Sequence, residues 1–312
     1  MNEMDRKFPA PDDGCNYYTF EEYERFGNLF SPVEFDPTVV KNRHLDIQYG
    51  TLPEQKLDLY LPDDGEGPWP TIFYVHGGGW MFGTKRLGAI TCIIDAIKHG
   101  FAVIAPDYRL APAVTFPEYV YDIKTAVRWA RAHADQYGLD PARFGMIGDS
   151  AGGHITLMMG YTGGHPEYEG EEYGWAGESS TVQAICDLYG PSDLSVDQTV
   201  WYRESGVKRF PYAGKDPGYE PMFGTGNKGL LKLISPISFV APNIPPTMIL
   251  QGYIDGIVAY QHSELLAEKI RRVCGEDRVD YRLYPDRNHS DGAFLKEESV
   301  GEIIAFFEKH LK

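Results

Sequence analysis

The chain has 312 residues, 43% of them hydrophobic, and a formal net charge of −16. That length can hold one large domain with an ample core. The acidity argues against nucleic acid and anionic membrane surfaces as partners, and no run is long or apolar enough to span a bilayer.

Residues 1–43 carry Tyr17, Tyr18, Phe20, Tyr23, Phe26 and Phe30 and read as a helical N-terminal arm, either packing on the body or serving as part of a lid. Residues 44–61 read as a hairpin of alternating strands. Repeated strand–helix units follow, with buried-type strands at 71–75, 101–105, 144–147, 182–189, 247–250 and 279–284. The clearest helix runs over 119–137, with Val120, Ile123, Val127 and Ala130 on one face. Alternating β and α elements predict an α/β fold with a mostly parallel sheet covered on both faces. Two stretches break this rhythm. Residues 163–180 are rich in Gly and Glu. An insertion at about 195–233 holds Trp201, Tyr202, Phe210, Tyr212, Tyr219 and Phe223, and its length suggests an ordered lid or substrate-facing segment. No repeat or linker separates a second domain, so 44–312 reads as a single domain.

The chemistry concentrates in two motifs. Gly148-Asp149-Ser150-Ala151-Gly152 follows a short apolar run, and a helix opens at Ala151. A serine hydroxyl is a poor nucleophile, so it must project unobstructed toward a base. A sharp strand-to-helix turn flanked by small residues achieves this and places Ser150 at a helix N-terminus. His76-Gly77-Gly78-Gly79-Trp80 follows the strand at 71–75. Successive glycines let a chain bend back and aim amides at one point. In acyl transfer such donors contribute on the order of 3 kcal/mol each to the transition state. His76 precedes the nucleophile and reads as a brace for this loop.

The base should follow the nucleophile and the acid along the chain. His154 lies one turn into the helix behind Ser150, His165 in a Gly-rich stretch, and His262 and His310 on amphipathic helices. His289 sits in a loop between the strand at 279–284 and the last helix, where an imidazole can reach a serine. Asp255 follows the strand at 247–250 and is favoured as the acid on chain position and strand order. Asp193, after the preceding strand, is the rival. Two motifs are decoys. The Gly-x-Gly-x-x-Gly of Gly224, Gly226 and Gly229 follows no strand. The sequon Asn288-His289-Ser290 would place a glycan over the proposed base.

The four cysteines show no metal-like spacing, and Cys92, Cys186 and Cys274 read as buried free thiols. The first residues, Met1 to Lys7, lack an apolar signal core, so a reducing cytoplasm is the expected setting. No metal is expected, and the sequence leaves a homo-oligomer open.

His76–Trp80, Asp107–Pro112 and Gly148–His154 together resemble the hormone-sensitive-lipase-like esterases. The stretches 182–184, 189–194 and 235–237 are closer still to bacterial feruloyl/acetyl-xylan-esterase-like carboxylesterases. The resemblance covers roughly residues 44–312. It implies an α/β-hydrolase fold and carboxylic-ester hydrolysis without a cofactor. It also implies Ser150, Asp255 and His289 as the catalytic triad, with Gly78, Gly79 and Ala151 as oxyanion donors. The 195–233 stretch matches no pattern of the family. The sequence therefore predicts a serine esterase acting on small soluble esters. An amidase, formamidase or peptidase would use the same residues, and a silent ligand-binding member of the fold is the rival from another class.

Overall fold

The computed structural model describes residues 13–19, 22, 34–210 and 218–312. The proposed N-terminal arm falls largely outside these residues, including Phe20, Tyr23, Phe26 and Phe30, as does Tyr212 of the insertion. The described strands are β1 (Arg43–Gln48), β2 (Lys56–Tyr60), β3 (Trp69–Val75), β4 (Ala102–Pro106), β5 (Leu139–Asp149), β6 (Ala184–Leu188), β7 (Thr247–Gly252) and β8 (Val279–Tyr284). They form one sheet in the order β1-β2-β4-β3-β5-β6-β7-β8. β2 runs antiparallel to β1 and β4, and every pairing from β4 to β8 is parallel. The principal helices are α1 (Glu118–Ala132), α2 (Ala151–Tyr161), α3 (Gln198–Ser205), α4 (Gln261–Cys274) and α5 (Glu297–Leu311).

The central strands bury both faces, which is why they read as continuous apolar runs rather than as alternation. Successive side chains still part to opposite sides. Phe73, Val75, Ile104, Phe144 and Met146 join one core with Ile123 and Val127 of α1, Ile155 of α2 and Leu266 of α4. Ile72, Tyr74, Val103, Ala105 and Ile147 join the other with Ile303, Phe306, Phe307 and Leu311 of α5. α5 packs against β5 at Gly145, where a Cβ would come within 2.7 Å of the Phe307 ring. This is the α/β-hydrolase architecture.

The sequence expectations differ from the structure mainly at element ends. The strand expected at 144–147 extends over Leu139–Asp149. The helix expected over 119–137 stops at Ala132, and a separate turn spans Ala134–Tyr137. The break is at His133, whose backbone leaves the helical region (φ −108°, ψ 15°) while its Nδ1 bonds the Trp129 carbonyl at 2.8 Å. Cys186 is a buried free thiol as expected, but Cys92 and Cys274 are only half-buried, their sulfurs turned toward the Leu295 and Ala241 carbonyls.

Phe307 is fully buried at the α5–β5 contact. Phe307→Ala should destabilise the fold by about 3–5 kcal/mol through the cavity it leaves. Urea unfolding measures this, and a loss below about 1 kcal/mol would contradict the packing described.

Candidate active site

Parallel strands present their C-terminal ends along one edge of the sheet, and loops leaving that edge converge there. Ser150 follows β5, Asp255 follows β7, His289 follows β8 and the glycine loop follows β3. The structure brings all of them together.

Ser150 sits between β5 and α2 with φ 54° and ψ −117°, a conformation that an L-residue holds only under constraint. Its amide donates to the Leu188 carbonyl (2.8 Å), and its carbonyl accepts from His154 at the start of α2 (3.0 Å). The turn closes because its neighbours are small. A Cβ on Gly152 would run into the Val75 carbonyl, and one on Gly148 would run into Gly152.

His289 Nε2 lies 2.9 Å from Ser150 Oγ, and His289 Nδ1 lies 2.8 Å from Asp255 Oδ2. A carboxylate only accepts, so Nδ1 carries the proton and Nε2 is left to accept from the serine hydroxyl. Asp255 is fully buried and His289 nearly so. Asp255 Oδ1 accepts the amides of Ile257 (2.9 Å) and Val258 (2.8 Å), and Oδ2 also accepts from Gln251 Nε2 (3.0 Å). These bonds fix the orientation of the carboxylate. The Tyr189 ring packs edge-on against the imidazole, with centroids 4.8 Å apart.

Gly78 and Gly79 take φ 110° and 57°, and the Gly78 carbonyl turns away to accept the Met81 and Phe82 amides (3.0 and 3.1 Å). Among the described residues, the amides of Gly78, Gly79 and Ala151 donate to no protein acceptor. His76 braces this loop. Its Nδ1 lies 2.8 Å from the Gly77 carbonyl, its ring stacks on Tyr108 at 4.3 Å, and the Tyr108 hydroxyl donates to the His76 carbonyl (2.9 Å). Behind the loop, Trp80 Nε1 donates to His154 Nδ1 (3.4 Å), and Phe223 packs against both rings.

Asp193 lies elsewhere. Its carboxylate accepts the Ser195 amide and hydroxyl (3.1 and 2.6 Å) and pairs with Lys232. Burial opposes its ionisation, but these bonds hold its carboxyl below the usual carboxylate range. The decoys also have structural explanations. Asn227 of the Gly-x-Gly stretch caps the short helix Lys228–Leu233, its Oδ1 accepting the Gly229 and Leu230 amides. Asn288 of the sequon is fully buried.

Two contributors were not evident in the sequence. Asn288 Oδ1 accepts the Gly256 amide (3.0 Å) and the His289 amide (2.7 Å), tying the Asp255 turn to the His289 loop. Asp149 accepts from the Tyr74 hydroxyl (2.8 Å) and lies 2.6 Å from where a Gly77 Cβ would stand, so it sits between the serine turn and the glycine loop. Burial pushes its carboxyl up, against the opposing Tyr74 bond. Only its position beside Ser150 marked it in the sequence.

Fold and site together define an α/β-hydrolase with a hydrogen-bonded Ser–His–Asp arrangement. The BD-FAE family pattern matches residues 57–270, more than half of the chain, and the chain belongs to that family. It is similar to the esterase LipC of Mycobacterium tuberculosis, 28% identical over 84% of this chain and 63% of LipC. It is similar also to the probable isoprenylcysteine alpha-carbonyl methylesterase ICMEL1 of Arabidopsis thaliana, 28% identical over 84% of this chain and 54% of that protein. The chain thus spans between half and two thirds of the length of these curated relatives. A truncated carbohydrate esterase from gut microbiota has the same fold, with a TM-score of 0.73 and 25% identity over 89% of this chain and 99% of that one.

His154 and His262 are fully buried, and burial pushes their imidazoles down to about 3 and about 4. The unfolded chain therefore takes up protons that the native state refuses, starting below the ordinary histidine value of 6.5 and continuing down to about 4. Stability should rise with pH across this window, by on the order of 1.4 kcal/mol per unit for each responding imidazole. Urea unfolding of the wild type and His154→Gln over that range checks this. The variant should show the shallower slope, and equal slopes would contradict the burial argument.

Proposed function

We propose that the protein is a serine carboxylic-ester hydrolase that acts on small soluble esters through an acyl-enzyme. The observation that carries this reading is the hydrogen-bond chain from Ser150 through His289 to Asp255, at 2.9 and 2.8 Å. Ser150 Oγ attacks the acyl carbon as His289 Nε2 takes its proton. Asp255 keeps the proton on Nδ1 and stabilises the imidazolium that forms. The amides of Gly78, Gly79 and Ala151 receive the negative charge on the tetrahedral oxygen. His289 returns the proton to the leaving alcohol, then activates water to release the acid. The relatives named as esterases support this chemistry.

The acyl group is short. Trp80 is almost fully buried among His154, Tyr219 and Phe223, so aromatic rings fill the space behind the glycine loop. A long acyl chain would leave apolar surface in water there. kcat/KM should be higher on butyryl than on palmitoyl p-nitrophenyl esters. The reverse order, or activation by lipid droplets, would favour a lipase.

Ser150→Ala should fold and lose about 10⁴-fold or more in kcat. Asp255→Asn should lose roughly 10³- to 10⁴-fold, and Asp193→Asn far less. Near-normal turnover by purified Ser150→Ala, or a larger loss at Asp193 than at Asp255, would overturn the assignment.

A further inference from the structure

Three consecutive carbonyls of the turn that carries Asp255 are held from outside it. The Tyr18 hydroxyl donates to the Ile254 carbonyl (3.0 Å). The Tyr202 hydroxyl donates to the Asp255 carbonyl (3.1 Å). The Phe210 amide donates to the Gly256 carbonyl (3.0 Å). Tyr18 belongs to the N-terminal segment, while Tyr202 and Phe210 belong to the aromatic insertion. The two segments are joined to each other before they reach the turn. Tyr18 N donates to the Arg209 carbonyl and Arg209 N to the Asn16 carbonyl, both at 2.8 Å, and the Tyr18 ring stacks on Phe210 with centroids 4.7 Å apart. Gly256 is the close point of this contact. A Cβ there would stand 2.8 Å from both the Tyr18 ring and the Lys208 carbonyl.

We propose that Tyr18 and Tyr202 are positioning residues that clamp the Asp255 turn, so that the N-terminal segment and the insertion set the geometry of the His289–Asp255 hydrogen bond. This rests on the esterase reading for its kinetic consequence, though not for its structural one. Inside the turn, the Asp255 side chain is fixed by the amides of Ile257 and Val258. Those bonds orient the carboxylate relative to its own backbone, and something else must fix that backbone relative to His289. The Asn288 link to Gly256 supplies one tie. The clamp supplies three more from the opposite direction in the chain. A carboxylate displaced by a fraction of an ångström loses much of its hold on an imidazole.

The test uses the full chain with Tyr18→Phe, Tyr202→Phe and, as control, Tyr121→Phe, whose hydroxyl bonds the Glu167 carbonyl. The titratable groups facing the pair are Tyr189, Asp149, the buried His262 and the two clamp tyrosines. Tyr→Phe alters no charge at neutral pH, so a changed pH profile reports geometry. On p-nitrophenyl acetate, each clamp variant should lower kcat roughly five- to tenfold, as loss of one buried hydrogen bond implies, with KM nearly unchanged. The acid limb of the kcat/KM profile should move to lower pH, because a loosely held carboxylate stabilises imidazolium less. Tyr121→Phe should move neither. A second readout needs no turnover. The downfield proton resonance of the His289–Asp255 bond, identified by its loss in Asp255→Ala, should shift or broaden in both clamp variants. If neither the limb nor the resonance changes, the clamp is overturned even where the wild type hydrolyses esters. If the resonance responds but the wild type turns over no ester, the clamp stands and the esterase reading falls.

Discussion

The backbone at Ser150 stands at φ 54° and ψ −117°, a conformation that costs on the order of 1–3 kcal/mol and persists only where the surroundings over-determine it. Those surroundings are the sheet itself. β5 delivers the chain to the turn, Leu188 at the end of β6 takes the Ser150 amide, and α2 leaves at once beneath the Val75 carbonyl. Because Gly148 and Gly152 carry no side chain, the strand and helix can meet at this angle. The placement of Oγ is a consequence, and so is the position of the Ala151 amide beside it.

The other parts of the site answer to that fixed point. The glycine loop reaches it from β3, the next strand over, and Asp149 sits between loop and turn. His289 and Asp255 arrive from β8 and β7 on the other side. Each comes from a different strand, so only the parallel sheet brings them within hydrogen-bonding distance. Asn288 then links the last two loops through its single side-chain oxygen. The site is assembled from long-range contacts, but each member is held by short local bonds.

Much of this was legible in the sequence because the chemistry constrains local composition. Ser150 lies in a run that must be small on both sides, and Gly78 and Gly79 take positive φ. His289 and Asp255 follow apolar strands in the chain order that the architecture requires. What stayed hidden depends on distance along the chain. Tyr18 meets Ile254 across 236 positions, and no local pattern announces that pairing. The sequon at Asn288 reads as a decoy from the sequence, but the tie this buried side chain makes between the Asp255 turn and the His289 loop is a tertiary fact. The helix break at His133 was missed for the opposite reason. The apolar stripe of α1 is strong, and the interruption comes from one side chain bonding back to the Trp129 carbonyl.

The central claim is that Ser150 forms the covalent acyl-enzyme. A phosphonate that reacts with activated serines tests it directly, followed by intact-mass measurement and peptide mapping. The account predicts one adduct per chain, located on the peptide containing Ser150, and none in His289→Ala, where the hydroxyl has lost its base. An adduct on another residue, or no adduct at all with the fold intact, would contradict it.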